Sequence, residues 1–187
     1  MANPPNKRDL IKQQAQILFA ERGVDAVSVR DLAAACGMAP PNLYAHFRSK
    51  DDLIAELFHD GYGEYGRLMR EAVAPPGPFR ARLERIVRLA CRLHDDDHAR
   101  FRFLIMVQHG HLAHVPRDET NPVEVIARTI AAAMAAGEIP PRDPNLAAAV
   151  VVGVFVQPAT FMLYGRLSGG LMPLAEELAA ICWRALS

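Results

Sequence analysis

No stretch of this 187-residue chain alternates apolar and polar residues long enough to make a strand, which leaves little room for a sheet-based fold. Cysteine is scarce: Cys36, Cys91 and Cys182 are isolated, odd in number and never spaced as CxxC, so a disulfide framework is excluded and buried thiols in a reducing compartment are expected. The start, MANPPNKRDL, has no apolar signal-peptide core, and the expected location is cytoplasmic. There is no glycine-rich phosphate loop, no Ser-His-Asp order, no paired-carboxylate signature and no internal repeat, so no enzymatic activity and no cofactor are expected. Net charge is also missing, with 21 basic and 21 acidic side chains.

What is there is helical. Hydrophobic residues make up 51% of the chain, enough for a real core. Apolar residues recur at helical spacing nearly throughout, and about nine helices are expected. The first is read from about Lys7 to Arg22 with Ile11, Ala15, Leu18 and Phe19 inside, after a short mobile leader. APPGP, residues 74–78, is the first strong punctuation. It divides a head of residues 1–50, joined by a connecting helix at about 51–73, from a body of residues 74–187. Basic residues outnumber acidic ones seven to four in the head and are outnumbered fourteen to seventeen after it. The cationic excess therefore lies in the head, where Lys7, Arg8 and Lys12 are candidates for phosphate contact.

Ser28 to Lys50 carries the most specific pattern. Ser28 is a helix N-cap with Asp31 in the first turn, Gly37 breaks the helix, and Pro40 and Pro41 suit the first turn of the next. Leu43 and Phe47 share one face; Asn42, Tyr44, Ala45 and His46 fall on the other. Two short helices across a tight turn, the second with few charges and several hydrogen-bonding side chains outward, form a pattern suited to a DNA major groove. Lys50 with Asp51 and Asp52 opens the fourth helix, whose packing side is Leu53, Ile54, Leu57, Phe58 and Tyr62.

In the body, Leu83, Ile86, Val87 and Ala90 form a stripe opposite Arg82, Arg85, Arg88 and Arg92, which read as a solvated face. Asp95 to Asp97 reads as the start of a sixth helix. Leu146 to Gly165 is apolar on nearly every side and approaches the length of a membrane span, but Gln157 and Pro158 interrupt it and its ends carry neither a basic cluster nor an aromatic belt. No membrane association is expected. Burial against other helices, some from a second subunit, is the soluble solution. With a last helix presenting Leu174, Leu178, Ile181 and Ala185, it would form a homodimer seam over about residues 145–187. Leu89, Phe101, Ile105, Gln108, His109, Phe155, Phe161 and Met162 are candidate walls of a mostly apolar ligand pocket. His94, His98, His109, His111 and His114, with Asp118 in reach, raise the question of a metal, but lack a thiolate nearby; no metal site is assigned.

Ala15 with Leu18-Phe19, Gly23, Ser28-Val29-Arg30-Asp31-Leu32-Ala33, Gly37, Leu43-Tyr44, His46-Phe47 and Lys50-Asp51-Asp52-Leu53 together resemble the DNA-binding domain of the tetracycline-repressor (TetR) family. That resemblance implies an all-α protein: an N-terminal three-helix domain with a helix-turn-helix, and a C-terminal ligand-binding and dimerisation domain. It implies a homodimeric transcriptional repressor on a near-palindromic double-stranded operator, released by a small-molecule effector. Carried over by position, Pro40, Pro41, Asn42 and Ala45 face base edges, while Ser28, Tyr44, His46 and Lys50 meet phosphate. Arg30 is either a phosphate contact or an ion-pair partner of Asp31. Ala39 departs from the family, which often has a capping Ser or Thr there. The competing expectation is a helical module that recruits another protein, with DNA binding secondary or lost.

Overall fold

The computed structural model describes residues 6–112 and 115–187. The described residues form helices and no strand: α1 (Lys7–Arg22), α2 (Val29–Ala35), α3 (Pro40–Tyr44), α4 (Lys50–Val73), α5 (Phe79–Asp96), α6 (His98–His111), α7 (Pro122–Ala135), α8 (Pro144–Leu163) and α9 (Ala175–Leu186), the last preceded by a 3-10 turn, Met172–Leu174. Most of the leader before Lys7 lies outside the described residues. Packing divides the chain into two compact units. One is built from the chain up to Gly61 with the segment beginning at Ala99, the other from Tyr62–His98 and Val115–Ser187. The APPGP punctuation does separate α4 from α5, but this division falls within α4 and gives most of α6 to the first unit.

In the first unit, α1 buries Ile11, Ala15, Phe19 and Ala20; Leu18, expected inside, is only half-buried. Gly23 ends α1 at φ 82°, a conformation that favours glycine, and its amide donates to the Phe19 carbonyl at 2.9 Å. Phe103 of α6 stacks on Phe19 with ring centroids 6.0 Å apart, and Leu104 lies against Gly61. These long-range contacts, invisible to local punctuation, hold α6 in this unit. Lys12 pairs with Glu56 at 2.5 Å and Asp60 at 2.7 Å, while Arg8 pairs with Glu56 and lies 4.3 Å over the Phe47 ring. Partial burial alone would raise the Glu56 pKa, but hydrogen bonds from Lys12 and Arg8 hold it below the usual carboxylate value.

In the second unit, α5 packs chiefly on α9, and α7 on α8. Leu83, Ile86 and Val87 are fully buried, each contributing about 1.5–3 kcal/mol of hydrophobic free energy. The arginine face of α5 is less solvated than its spacing suggests. Arg85 donates to the carbonyls of Ala72 at 2.7 Å and Pro75 at 2.8 Å, and Arg82 to Glu138 at 2.8 Å, so two of the four staple loops. Asp95 and Asp96 close α5 rather than open α6. The Asp95 carboxylate instead accepts the amides of Leu171 (2.8 Å) and Met172 (2.9 Å) and lies 2.7 Å from His94 Nδ1. Although burial opposes it, these hydrogen bonds lower the Asp95 pKa.

Helix α8 runs through Pro158 without a break. Ala147, Ala148, Val151, Phe155 and Ala159 are buried, but the other face is open: Leu146 is 64% exposed, Val150 39% and Phe161 43%, with Gly153 and Gln157 between them. Along the chain these positions step by three or four, which places them on one stripe. Leu178 of α9 turns into its own subunit, while Leu174 of the 3-10 turn and Ile181 of α9 are half-buried and Ala185 is exposed.

Candidate nucleic-acid interface

In the first unit, capping interactions set the geometry of the α2–α3 turn and of the start of α4. The Asp31 amide donates to Ser28 Oγ at 3.2 Å and the Ser28 amide returns to Asp31 Oδ2 at 2.8 Å, a reciprocal capping box that starts α2. Hydrogen bonds from Ser28 lower the Asp31 pKa. After α2, Gly37 takes φ 63° and lets the Met38 amide reach back to the Ala33 carbonyl at 2.9 Å. Helix α3 starts at Pro40 without a side-chain cap, since Ala39 has no oxygen to offer. It is only five residues long, so Phe47 reaches the core from beyond its end. Helix α4 is capped by Ser49, whose hydroxyl accepts the Asp52 amide at 3.0 Å.

Leu43 is 0% and Phe47 1% exposed, which fixes how α3 faces. Pro41, Asn42, Tyr44 and Ala45 are consequently exposed, Tyr44 to 54%, and Pro40 and His46 are half-buried. Arg30 is exposed and makes no ion pair with Asp31 among the described residues, because that carboxylate is turned to Ser28. Two expected phosphate contacts have structural work as well. Both donors of Ser28 go to Asp31, and Lys50 Nζ donates to the carbonyls of Val24 at 2.8 Å and Val27 at 3.1 Å, leaving one ammonium proton for another acceptor. Arg8 and Lys12 are engaged by the carboxylates of α4, whereas Lys7 is exposed.

Beside α3 lies an open depression of about 520 Å³, lined by Lys7, Leu10, Cys36, Gly37, Met38, Ala39, Asn42, Ala45 and His46. Residue spacing singled out Asn42, Ala45 and His46 but missed Leu10, Cys36 and Met38, because only folding brings α1 beside the α2–α3 turn. Burial raises the Cys36 pKa above the ordinary thiol value.

The eight candidate ligand-wall residues divide between the two units: Phe101, Ile105, Gln108 and His109 belong to the first, Leu89, Phe155, Phe161 and Met162 to the second. Phe101 and Phe155 are buried, Leu89, Ile105, Gln108 and Met162 half-buried, and His109 and Phe161 exposed. Among the histidines, His111 stacks on Phe58 with centroids 5.2 Å apart and His94 meets His98 edge-on at 4.9 Å. His114 lies outside the described residues, and among those described no group of three metal-ligating side chains comes together.

Residues 5–57 match the family model described as bacterial regulatory proteins, tetR family. The head is a tetR-family helix-turn-helix domain. A curated relative, the HTH-type transcriptional repressor KstR2 of Mycolicibacterium smegmatis, is 34% identical over 93 residues, which cover 46% of this chain and 45% of the relative. The chain thus spans less than half the length of that relative in the match. Over the whole fold, a bacterial regulatory protein of the tetR family from Rhodococcus superposes with a TM-score of 0.81 at 21% identity, covering 98% of each chain. FadR from Bacillus subtilis, solved in complex with stearoyl-CoA, superposes with a TM-score of 0.76 at 20% identity, covering 93% of this chain and 96% of FadR. The tetR-family head and the all-helical body thus share the architecture of known transcription regulators.

Proposed function

We propose that the protein is a homodimeric transcription regulator that represses from a near-palindromic operator and is released by a mostly apolar small molecule. The observation that carries this reading is the division of α3 and the turn after it into a fully buried side, Leu43 and Phe47, and an exposed side bearing Asn42, Tyr44 and Ala45. On that side the Asn42 amide matches the N6 and N7 edge of adenine, and Ala45 suits a thymine methyl. Pro40 and Pro41 add apolar surface without donors, so DNA shape contributes to discrimination. Tyr44, His46, Arg30 and the remaining proton of Lys50 meet phosphates, which position the head without reading sequence. Residues 1–50 act as the DNA-binding domain, α4 as connector, and residues 74–187 as the sensing and dimerising part.

The open stripe of Leu146, Val150, Gly153 and Phe161 on α8, together with the outer side of α9, supports pairing of two subunits there. In the second unit the candidate wall residues Leu89, Phe155 and Met162 are apolar and at least half-buried, which suits a ligand with a long apolar portion. Stearoyl-CoA, bound by the structurally similar FadR, is a molecule of that type. Release requires the effector to favour the arrangement that cannot bind DNA; equal affinity for both arrangements shifts nothing. Such a regulator works in the cytoplasm. Selection from a random duplex library with purified protein, at two salt concentrations, tests the reading: a two-fold-symmetric motif is expected, and salt-sensitive binding without any motif refutes it.

A further inference from the structure

We propose that the depression beside α3 seats the sugar-phosphate backbone of one DNA strand, with Lys7 of α1 as a phosphate ligand outside the helix-turn-helix. The inference rests on the DNA reading above and extends its footprint to the first helix. Three observations converge on it. First, charge: of the cations in the opening turns of α1, Arg8 and Lys12 are neutralised by Glu56 and Asp60, while Lys7 is exposed with no ion pair among the described residues. Asp9, two positions on, lies about 200° around the helix from it. Second, lining: among the described residues no carboxylate lines the depression. Lys7 and His46 supply polar groups along its flank, and Leu10, Met38 and Ala39 supply apolar surface against which a deoxyribose packs, while Asn42 and Ala45 mark the edge it shares with the base-facing side. Third, continuity: Asn42 and Ala45 belong both to this depression and to the exposed face of α3. A base edge meeting Asn42 brings one wall of the groove within reach of that flank, which Lys7 shares with Asn42.

The experiment uses the full chain and the duplex recovered by library selection, with affinity measured over a series of salt concentrations. Lys7→Ala should make the slope of log affinity against log salt shallower by about 0.9 for each bound subunit. Binding should weaken to the same degree on the selected duplex and on a scrambled one, Lys7→Arg should restore the slope, and thermal stability should not change, since Lys7 is exposed. A second readout is alkylation of Cys36, which lines the depression; Cys91 and Cys182 are buried and serve as silent thiols. Bound duplex should protect Cys36. An unchanged slope in Lys7→Ala, or a Cys36 that reacts equally fast with duplex bound, overturns the inference while wild-type binding leaves the DNA reading standing. Failure of the wild-type chain to bind any duplex overturns both.

Discussion

Gly66→Ala in α4 should destabilise the protein, although helix propensity alone favours alanine there by about 0.8–1 kcal/mol. A Cβ at Gly66 would sit 2.0 Å from the Thr120 carbonyl oxygen, 2.5 Å from its carbon and 3.2 Å from the Asn121 nitrogen. Reaching ordinary contact at 3.4 Å requires a retreat of about 1.4 Å. Neither side yields easily, because the obstacle is backbone and the Asn121 side chain caps α7 by accepting the amides of Val123 (3.0 Å) and Glu124 (3.4 Å). Overpacking costs about 1–3 kcal/mol, and an obstacle made of backbone belongs at the upper end, so the net loss is about 2 kcal/mol. Gly63, in the same helix, has nothing within 4 Å of its would-be Cβ, and Gly63→Ala should gain about 0.8–1 kcal/mol. Urea unfolding of the two variants should then separate their midpoints by about 1 M or more, for an m value of about 2 kcal/mol/M. If Gly66→Ala unfolds at or above the midpoint of Gly63→Ala, the close approach of α4 to Thr120 is wrong.

Ser28→Ala should remove the α2 cap at a cost of about 1 kcal/mol near neutral pH, measured by denaturant midpoint. Hydrogen bonds lower the Asp31 pKa, so the contribution of this carboxylate is present above the ordinary value of about 4 and is lost as pH falls through its depressed value. The gap between Ser28→Ala and wild type should therefore narrow in strong acid, and a constant gap would show that Asp31 is not coupled to the cap. In binding assays across a panel of duplexes, Asn42→Ala should blur preference at one base position by about 1–3 kcal/mol. Tyr44→Ala should weaken every duplex alike, and uniform loss from Asn42→Ala would remove its base-reading role. Lys50→Ala should lower both affinity and unfolding midpoint, because its ammonium also ties the carbonyls of Val24 and Val27. If the proposed pairing of subunits holds, wild type should sediment as a dimer and Phe161→Glu, which places a charge on the open stripe of α8, as a monomer with the helical circular dichroism unchanged; a persistent dimer in the variant would move the seam elsewhere.

Local chemistry makes much of the head legible in the sequence alone. Gly23 and Gly37 end their helices because a residue without Cβ takes positive φ readily, Ser28 with Asp31 makes a cap within four residues, and Leu43 and Phe47 mark the buried side of α3. In the body, proline punctuation locates the breaks before α5, α7 and α8, but it misleads at Pro158, which α8 runs through, and the acidic run at Asp95 and Asp96 closes α5 instead of opening α6. Interactions between residues far apart in the chain are not readable in this way. Nothing in the spacing of Arg8 and Lys12 says that Glu56 and Asp60 will take their charge, and Lys7 becomes distinct only once they do. Nor does the nearly uniform apolarity of α8 tell which of its faces other helices will leave open; the packing of α7 and α9 decides that. The return of α6 to the head rests on Phe103 meeting Phe19 and Leu104 meeting Gly61. Periodicity states which residues need burial, because it reflects one helix at a time. The choice of partner, and hence which cation remains outward, is made by the three-dimensional competition among all helices for the same apolar and charged neighbours.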